Sequence, residues 1–237
     1  MIWLRSLLFV GWFYLLSIPL AILYSLALVL PRGVMREAMR AWSRLVRFGL
    51  LAIAGIRVEV RGAEHMPRGP ALIAAKHQCM YDFIAPLGFL PDACFVLKKE
   101  LLNIPLFGWH ARKAKMIPID RSGHSKAVRQ LMADAKDRIA DGRQIIIYPE
   151  GTRRPPGAPP EYKPGAAALY RELELPCTPL AVNTGVHWPN KAILMRPGTI
   201  VFEFLPPIPP GLKRADFMRE LQTRIETASD ALLAERL

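Results

Sequence analysis

Residues 70–90 read PALIAAKHQCMYDFIAPLGFL. The run ALIAA at 71–75 is short, unbroken and apolar, the pattern of a strand buried on both faces. The run FIAPLGFL at 83–90 predicts a helix, so strand, turn and helix follow one another. The turn carries Lys76, His77, Gln78, Cys79, Met80, Tyr81 and Asp82. Ligands of open α/β sheets bind beyond the carboxyl ends of the strands, which puts His77 where such a protein does its chemistry. His77 and Asp82 cannot share a helix face, because residues five apart differ by about 140° at 3.6 residues per turn. A turn can instead fold the carboxylate back onto the imidazole, fixing its tautomer and leaving the other nitrogen as a general base. Taken singly, the two residues also have plainer readings, Asp82 as a helix N-cap and His77 as a loop residue.

Outward from this stretch the same strand-into-turn pattern recurs. Candidate strands are 56–61, 71–75, 93–97, 115–119, 144–148, 178–182 and 200–205. Candidate helices are 83–90, 105–113, 125–140, 166–172 and 213–233. Alternation of this kind predicts an α/β protein with a mixed, mostly parallel sheet flanked by helices. Two further strand ends carry charge. Ile117-Pro118-Ile119 runs into Asp120-Arg121. Ile145-Ile146-Ile147-Tyr148 runs into Pro149-Glu150-Gly151-Thr152-Arg153-Arg154, where Pro149 ends the ladder and Gly151 lets a ligand approach the backbone. Arginines at these ends suit a phosphate, although a solvated turn or an Asp120–Arg121 pair accounts for each alone.

The chain has 237 residues, and the first 55 differ from the rest. Residues 6–30 carry no charge and, as a helix, measure about 38 Å against a hydrocarbon core of about 30 Å. Pro19 is expected to kink that helix. Ser25-Leu26-Ala27 would pass as a signal-peptide cleavage site, but the run is long and only Arg5 precedes it, which favours an anchor. The next helix, expected over 34–55, places Arg36, Arg40, Arg44 and Arg47 on one ridge suited to an anionic bilayer. Eight arginines and two glutamates occupy residues 1–62, half of the net charge of +12, so the anionic partner expected is membrane. Basic residues on the C-terminal side of the apolar run place the body in the cytoplasm, with a hairpin dipping into one leaflet as the alternative to a span. Nucleic acid is excluded by the lack of zinc spacing, an aromatic-basic strand motif or a basic tail. Mean hydropathy of +0.17 excludes a bundle of spans, and 22 prolines argue against a helical solenoid. Cys79, Cys94 and Cys177 form no disulfide framework.

His-x4-Asp at 77–82, Ile-Asp-Arg at 119–121 and Pro-Glu-Gly-Thr-Arg at 149–153, in that order, resemble the glycerolipid acyltransferase family. Within it the chain is most similar to the bacterial enzymes that acylate 1-acyl-glycerol-3-phosphate. The likeness runs from about residue 56 to 210 and extends to Lys163-x-Gly165 and Pro179. It implies a glycerol-3-phosphate acyltransferase-like fold, with an anchor over 1–55 and a catalytic domain over 56–237. It further implies transfer of an acyl group from acyl-coenzyme A or acyl-[acyl carrier protein] to the sn-2 hydroxyl of lysophosphatidic acid at a bacterial inner membrane. His77 would be the base and Asp82 its orienting partner. Arg121, Glu150, Gly151, Thr152, Arg153 and Lys163 would bind or shape the acceptor site, with no metal or cofactor. Lys76 stands where members often have Asn, Arg154 where Ser is common, and PPGAPPEY at 155–162 is an insert.

Rival readings remain open at this level. Cys79 could act as a nucleophile with His77, and His65, His77 and Cys79 could hold zinc, although without recognisable spacing. The acceptor could be another lysophospholipid or a lyso-aminolipid, and a non-catalytic membrane adaptor is the alternative of a different class. His110, His124 and His187 lie in no motif.

Overall fold

The structure, a computed structural model, describes residues 1–120, 124–190 and 193–235. Strands β1 (Ile56–Arg61), β2 (Ala71–Ala75), β3 (Ala93–Lys98), β4 (Ile117–Ile119), β5 (Gln144–Ile147), β6 (Cys177–Val182) and β7 (Gly198–Phe204) form one sheet in the order β1-β7-β6-β2-β5-β3-β4. All pairings are parallel except β6–β7. The expected mixed, mostly parallel sheet is therefore present, and the expected strand ends lie within two residues of the observed ones. Every residue of β2, β5 and β6 is buried, because helices cover both faces of the central strands.

The helices are α1 (Ile2–Tyr24), α2 (Arg32–Gly49), α3 (Tyr81–Phe89), α4 (Phe107–Lys113), α5 (His124–Ala140), α6 (Gly165–Leu173), the single turn α7 (Thr184–His187) and α8 (Arg214–Ala234). Alternation along β7 sorts them into layers. Phe202 and Phe204 meet Phe89 of α3, with ring centroids 5.5 and 5.9 Å apart. Val201 points the other way, onto Leu232 of α8 and Ala181 of β6. Helix α6 joins α8 on that second face through Tyr170 and Phe217, stacked at 3.8 Å. Helices α1 and α2 join α3 on the first.

The N-terminal pair is docked along the body. Arg5 Nε donates to Ile53 O at 2.8 Å within the N-terminal segment, and Met195 N–H of the body donates to Ser6 Oγ at 2.9 Å. Phe9 and Phe13 lie edge-on to Trp188 at 5.4 and 5.8 Å, and Ser25 Oγ reaches His110 Nε2 at 3.3 Å. Pro19 lies inside α1, which runs through it without a break.

Helix α2 departs from expectation. Its arginine ridge does not face outward as a unit. Arg40 donates to Leu90 O at 3.1 Å and Pro91 O at 2.6 Å, carbonyls at the end of α3 where partial negative charge collects. Arg47 donates to Val58 O at 3.1 Å, Arg36 pairs with Glu37 at 2.9 Å, and Arg44 remains exposed. Beside Glu37, Arg44 and Arg47, α2 also exposes Val34, Leu45 and Phe48, and Leu51 follows in the next turn. The chain passes from α2 through a wider helical turn, Leu50–Ala54, to Gly55, whose φ of 72° is the left-handed ending that glycine favours.

Candidate active site

Because β2, β3, β4 and β5 run parallel, their carboxyl ends share one edge of the sheet. His77 and Asp82 lie at that edge. Asp82 is not the cap of α3. It is the helix's second residue, and its carboxylate turns back over the preceding turn. Oδ2 accepts from Gln78 N–H at 2.6 Å and Cys79 N–H at 2.8 Å, and lies 2.9 Å from His77 Nδ1. Oδ1 accepts from Thr184 Oγ1 at 2.5 Å. With Oδ2 already accepting from two backbone amides, the shared hydrogen is assigned to Nδ1, so Nε2 is the nitrogen left for a substrate. Tyr148 stacks on the imidazole at 4.0 Å and 19°, and its hydroxyl donates to Asp82 O at 2.7 Å. Burial, then the Asp82 charge, holds that phenol well above its ordinary range, and the Arg153 charge opposes the rise.

The turn after β5 grips the main chain of His77 from both sides. Glu150 Oε2 accepts from His77 N–H at 3.4 Å, and Arg154 N–H donates to His77 O at 2.8 Å. Behind it lies a buried charge cluster. Lys76 Nζ is 2.9 Å from Glu150 Oε1 and 2.8 Å from Glu226 Oε2 of α8, with side-chain exposures of 3, 1 and 18%. Tyr162, from the proline-rich insert, donates to Glu226 Oε1 at 2.9 Å. Burial raises the Glu150 carboxyl above its ordinary value, and the contacts with Lys76 oppose that rise. Lys76 thus ties β2, the turn after β5, the proline-rich stretch and α8 together.

The other expected site residues are placed as follows. Glu150 faces inward, onto Lys76 Nζ and the N–H of His77. Gly151 has φ of 65°, in the region that favours glycine. Thr152 and Arg153 are exposed, and Arg153 Nη1 donates to Asn190 Oδ1 at 3.0 Å. Lys163 is exposed and pairs with Glu161, while its N–H donates to Pro149 O at 2.7 Å. Arg121 lies outside the described residues. Cys79 is fully buried, its sulfur accepting from Tyr81 N–H at 3.3 Å, and burial, then the Asp82 charge, pushes its thiol far up. A thiolate nucleophile at Cys79 does not fit that setting.

Sequence reading missed Tyr148, Thr184 and Gly185. Gly185 N–H donates to Gln78 Oε1 at 2.9 Å, and a Cβ there would stand 2.9 Å from Gln78 Cβ and from Pro156 Cδ. The only signal available was Asn183-Thr184-Gly185 at the end of a buried strand.

Comparison with known proteins follows the same lines. The acyltransferase family model matches residues 57–183. A 1-acyl-sn-glycerol-3-phosphate acyltransferase of Pseudomonas aeruginosa is 35% identical over 213 residues, 90% of this chain and 83% of that protein. The alpha form of Bos taurus is 30% identical over 202 residues, covering 82% and 70%. The crystal structure of a Thermotoga maritima 1-acyl-sn-glycerophosphate acyltransferase superposes with a TM-score of 0.82 at 22% identity, covering 99% and 98%, which shows the fold to be shared.

Proposed function

This chain belongs to the acyltransferase family, and on that premise we propose that it transfers a fatty acyl group from a thioester to the sn-2 hydroxyl of 1-acyl-sn-glycerol-3-phosphate, giving phosphatidic acid. The observation that carries the mechanism is the 2.9 Å contact of Asp82 with His77 Nδ1, which leaves Nε2 for the acceptor. In this reading Nε2 takes the proton of the sn-2 hydroxyl as its oxygen attacks the thioester carbonyl. Asp82 holds the ring in place and stabilises the imidazolium. The tetrahedral adduct collapses, the C–S bond breaks, and the departing sulfur takes the proton from Nε2. The imidazole is regenerated and a free thiol leaves. A thiolate is a good leaving group, so the chain's own groups suffice for the proton transfers. Arg153, with Arg121, is assigned to the acceptor phosphate, where guanidinium and phosphate match in geometry and charge. Glu150, Gly151, Thr152 and Lys163 shape that pocket, Glu150 from within. The acyl carrier is coenzyme A or acyl carrier protein.

We assign residues 1–55 to membrane anchoring and 56–237 to catalysis. Helix α1 is long and apolar enough to cross a membrane, but it touches the body at Ser6, Phe9 and Phe13, and Ser25, just past its end, meets His110. A helix held to the body at Ser6, Phe9 and Phe13 cannot pierce a bilayer without drawing the body in with it. Its outward residues Leu4, Leu8, Leu15 and Ile22, with Phe48 of α2 and Leu51 just after it, support a hairpin lying in one leaflet. The body then faces the cytoplasm. Both acceptor and product are lipids, so a site at the interface spares their extraction into water. The test is acyl transfer by purified protein against a panel of lysolipids with each donor. Preference for lysophosphatidic acid supports the reading, and acylation of another lysolipid in its place overturns it.

A further inference from the structure

Between β3 and β4 the chain makes a tight helical turn, Lys99–Asn103, and then α4. Unlike a crossover that buries its apolar face, this one leaves Leu101, Ile104 and Trp109 in the open, Trp109 at 51% exposure. The outward set is held in place by a stiff turn. Phe107 N–H donates to Pro105 O at 2.7 Å, a γ-turn centred on Leu106 at φ 63° and ψ −62°. That conformation is rare and strained for a side-chain-bearing residue, and such strain concentrates at functional positions. Gly108 is folded against Leu102 O so closely that a Cβ would come within 2.0 Å.

Lys98, Lys99, Arg112, Lys113 and Lys115 flank the apolar set along the chain, against Glu100 within the segment and Asp120 and Asp141 paired with its lysines. The collar is net positive, and its ion pairs are exposed and weak. The segment is also continuous with the tip of the N-terminal hairpin. His110 of α4 meets Ser25 at 3.3 Å, and the residues after Ser25 include Leu26 and Val29, 68 and 89% exposed. Finally, Lys99 leaves the carboxyl end of β3, the sheet edge that bears His77.

We propose that the segment 98–115 is a second lipid-contacting surface, built into the catalytic body, which inserts Leu101, Ile104 and Trp109 among the headgroups of an anionic bilayer. Aromatic and aliphatic tips ringed by lysine and arginine match such an interface in polarity and charge. Two contacts, hairpin tip and body segment, fix the tilt of the body and hold the sheet edge with His77 at the membrane surface. The inference rests on the membrane-bound reading above.

The experiment uses the full chain and vesicles of phosphatidylcholine with phosphatidylglycerol. Partitioning is measured by flotation for the wild type, for L101S/I104S/W109S, and for a hairpin variant, L4S/L8S/L15S. Acyl transfer in detergent micelles reports the integrity of each. The body variant should bind vesicles at least tenfold more weakly while keeping micellar activity. Unchanged binding of the body variant beside weakened binding of the hairpin variant overturns this inference and leaves the membrane reading standing. A wild type that does not float overturns both. A body variant that turns a dimer into a monomer in sedimentation, without losing vesicle binding, assigns the surface to a second copy of the chain and overturns the lipid proposal.

Discussion

Replacing Lys76 by Met removes the ammonium from between two carboxylates, Glu150 and Glu226, and keeps most of the side-chain volume. Lys76 and Glu150 are 3 and 1% exposed and 2.9 Å apart, so water cannot take over the role of the ammonium. Breaking a buried pair by deleting one partner costs about 3–5 kcal/mol. A domain of this kind has about 5–15 kcal/mol in all, so the variant folds but is much less stable. The loss has a defined pH dependence. Burial already lifts the Glu150 carboxyl above 4.5, and Lys76 opposes the lift. Without Lys76 the folded-state value rises further, so the folded protein binds a proton that the unfolded chain releases. Stability is then fully present below about pH 4.5 and is lost as pH rises through the folded-state value. Urea unfolding in detergent at pH 5 and pH 8 should show the K76M deficit growing by about 1 kcal/mol or more towards pH 8. K76M/E150Q/E226Q, with no charge left in the cluster, should recover much of it. A deficit below about 1 kcal/mol that is the same at both pH values would refute the reasoning, because a buried carboxylate left alone must titrate or destabilise.

Further outcomes follow from the same geometry. His77→Ala should reduce acyl transfer by ~10²–10⁴-fold in protein that still folds; retained turnover in folded protein contradicts the assignment of the base. Thr184→Val deprives Asp82 Oδ1 of its hydroxyl donor and should cost about 1–3 kcal/mol in stability together with a lower kcat. An unaltered kcat would show that this bond does not position the carboxylate for the reaction. Arg153→Ala should raise KM for the acceptor by about tenfold or more with a smaller change in kcat, and steady-state kinetics at varied acceptor concentration reads the split directly.

Legibility in the sequence followed distance along the chain. The strands were readable because a parallel sheet covered on both faces demands continuous apolar runs, as in ALIAA and QIII. The contact of His77 with Asp82 was readable as a conjecture because one turn contains both partners. Thr184 lies 102 residues from Asp82, and Glu226 lies 150 from Lys76. No local pattern marks either. The arginines of α2 show the complementary failure: their spacing tells which residues share a face, but not that the end of α3 lies opposite.

Hydrophobic patterning and turn chemistry by themselves determined the α/β class, the strand positions and the placing of His77, Asp82, Glu150 and Arg153 just past strand ends, because each depends on a few neighbouring residues. Tertiary structure alone decided which strand ends became neighbours. It set Tyr148 against the imidazole, turned Glu150 inward onto Lys76, and laid α1 along the body. Those outcomes depend on strand order and on helix packing across the whole sheet, and no short stretch of chain encodes them.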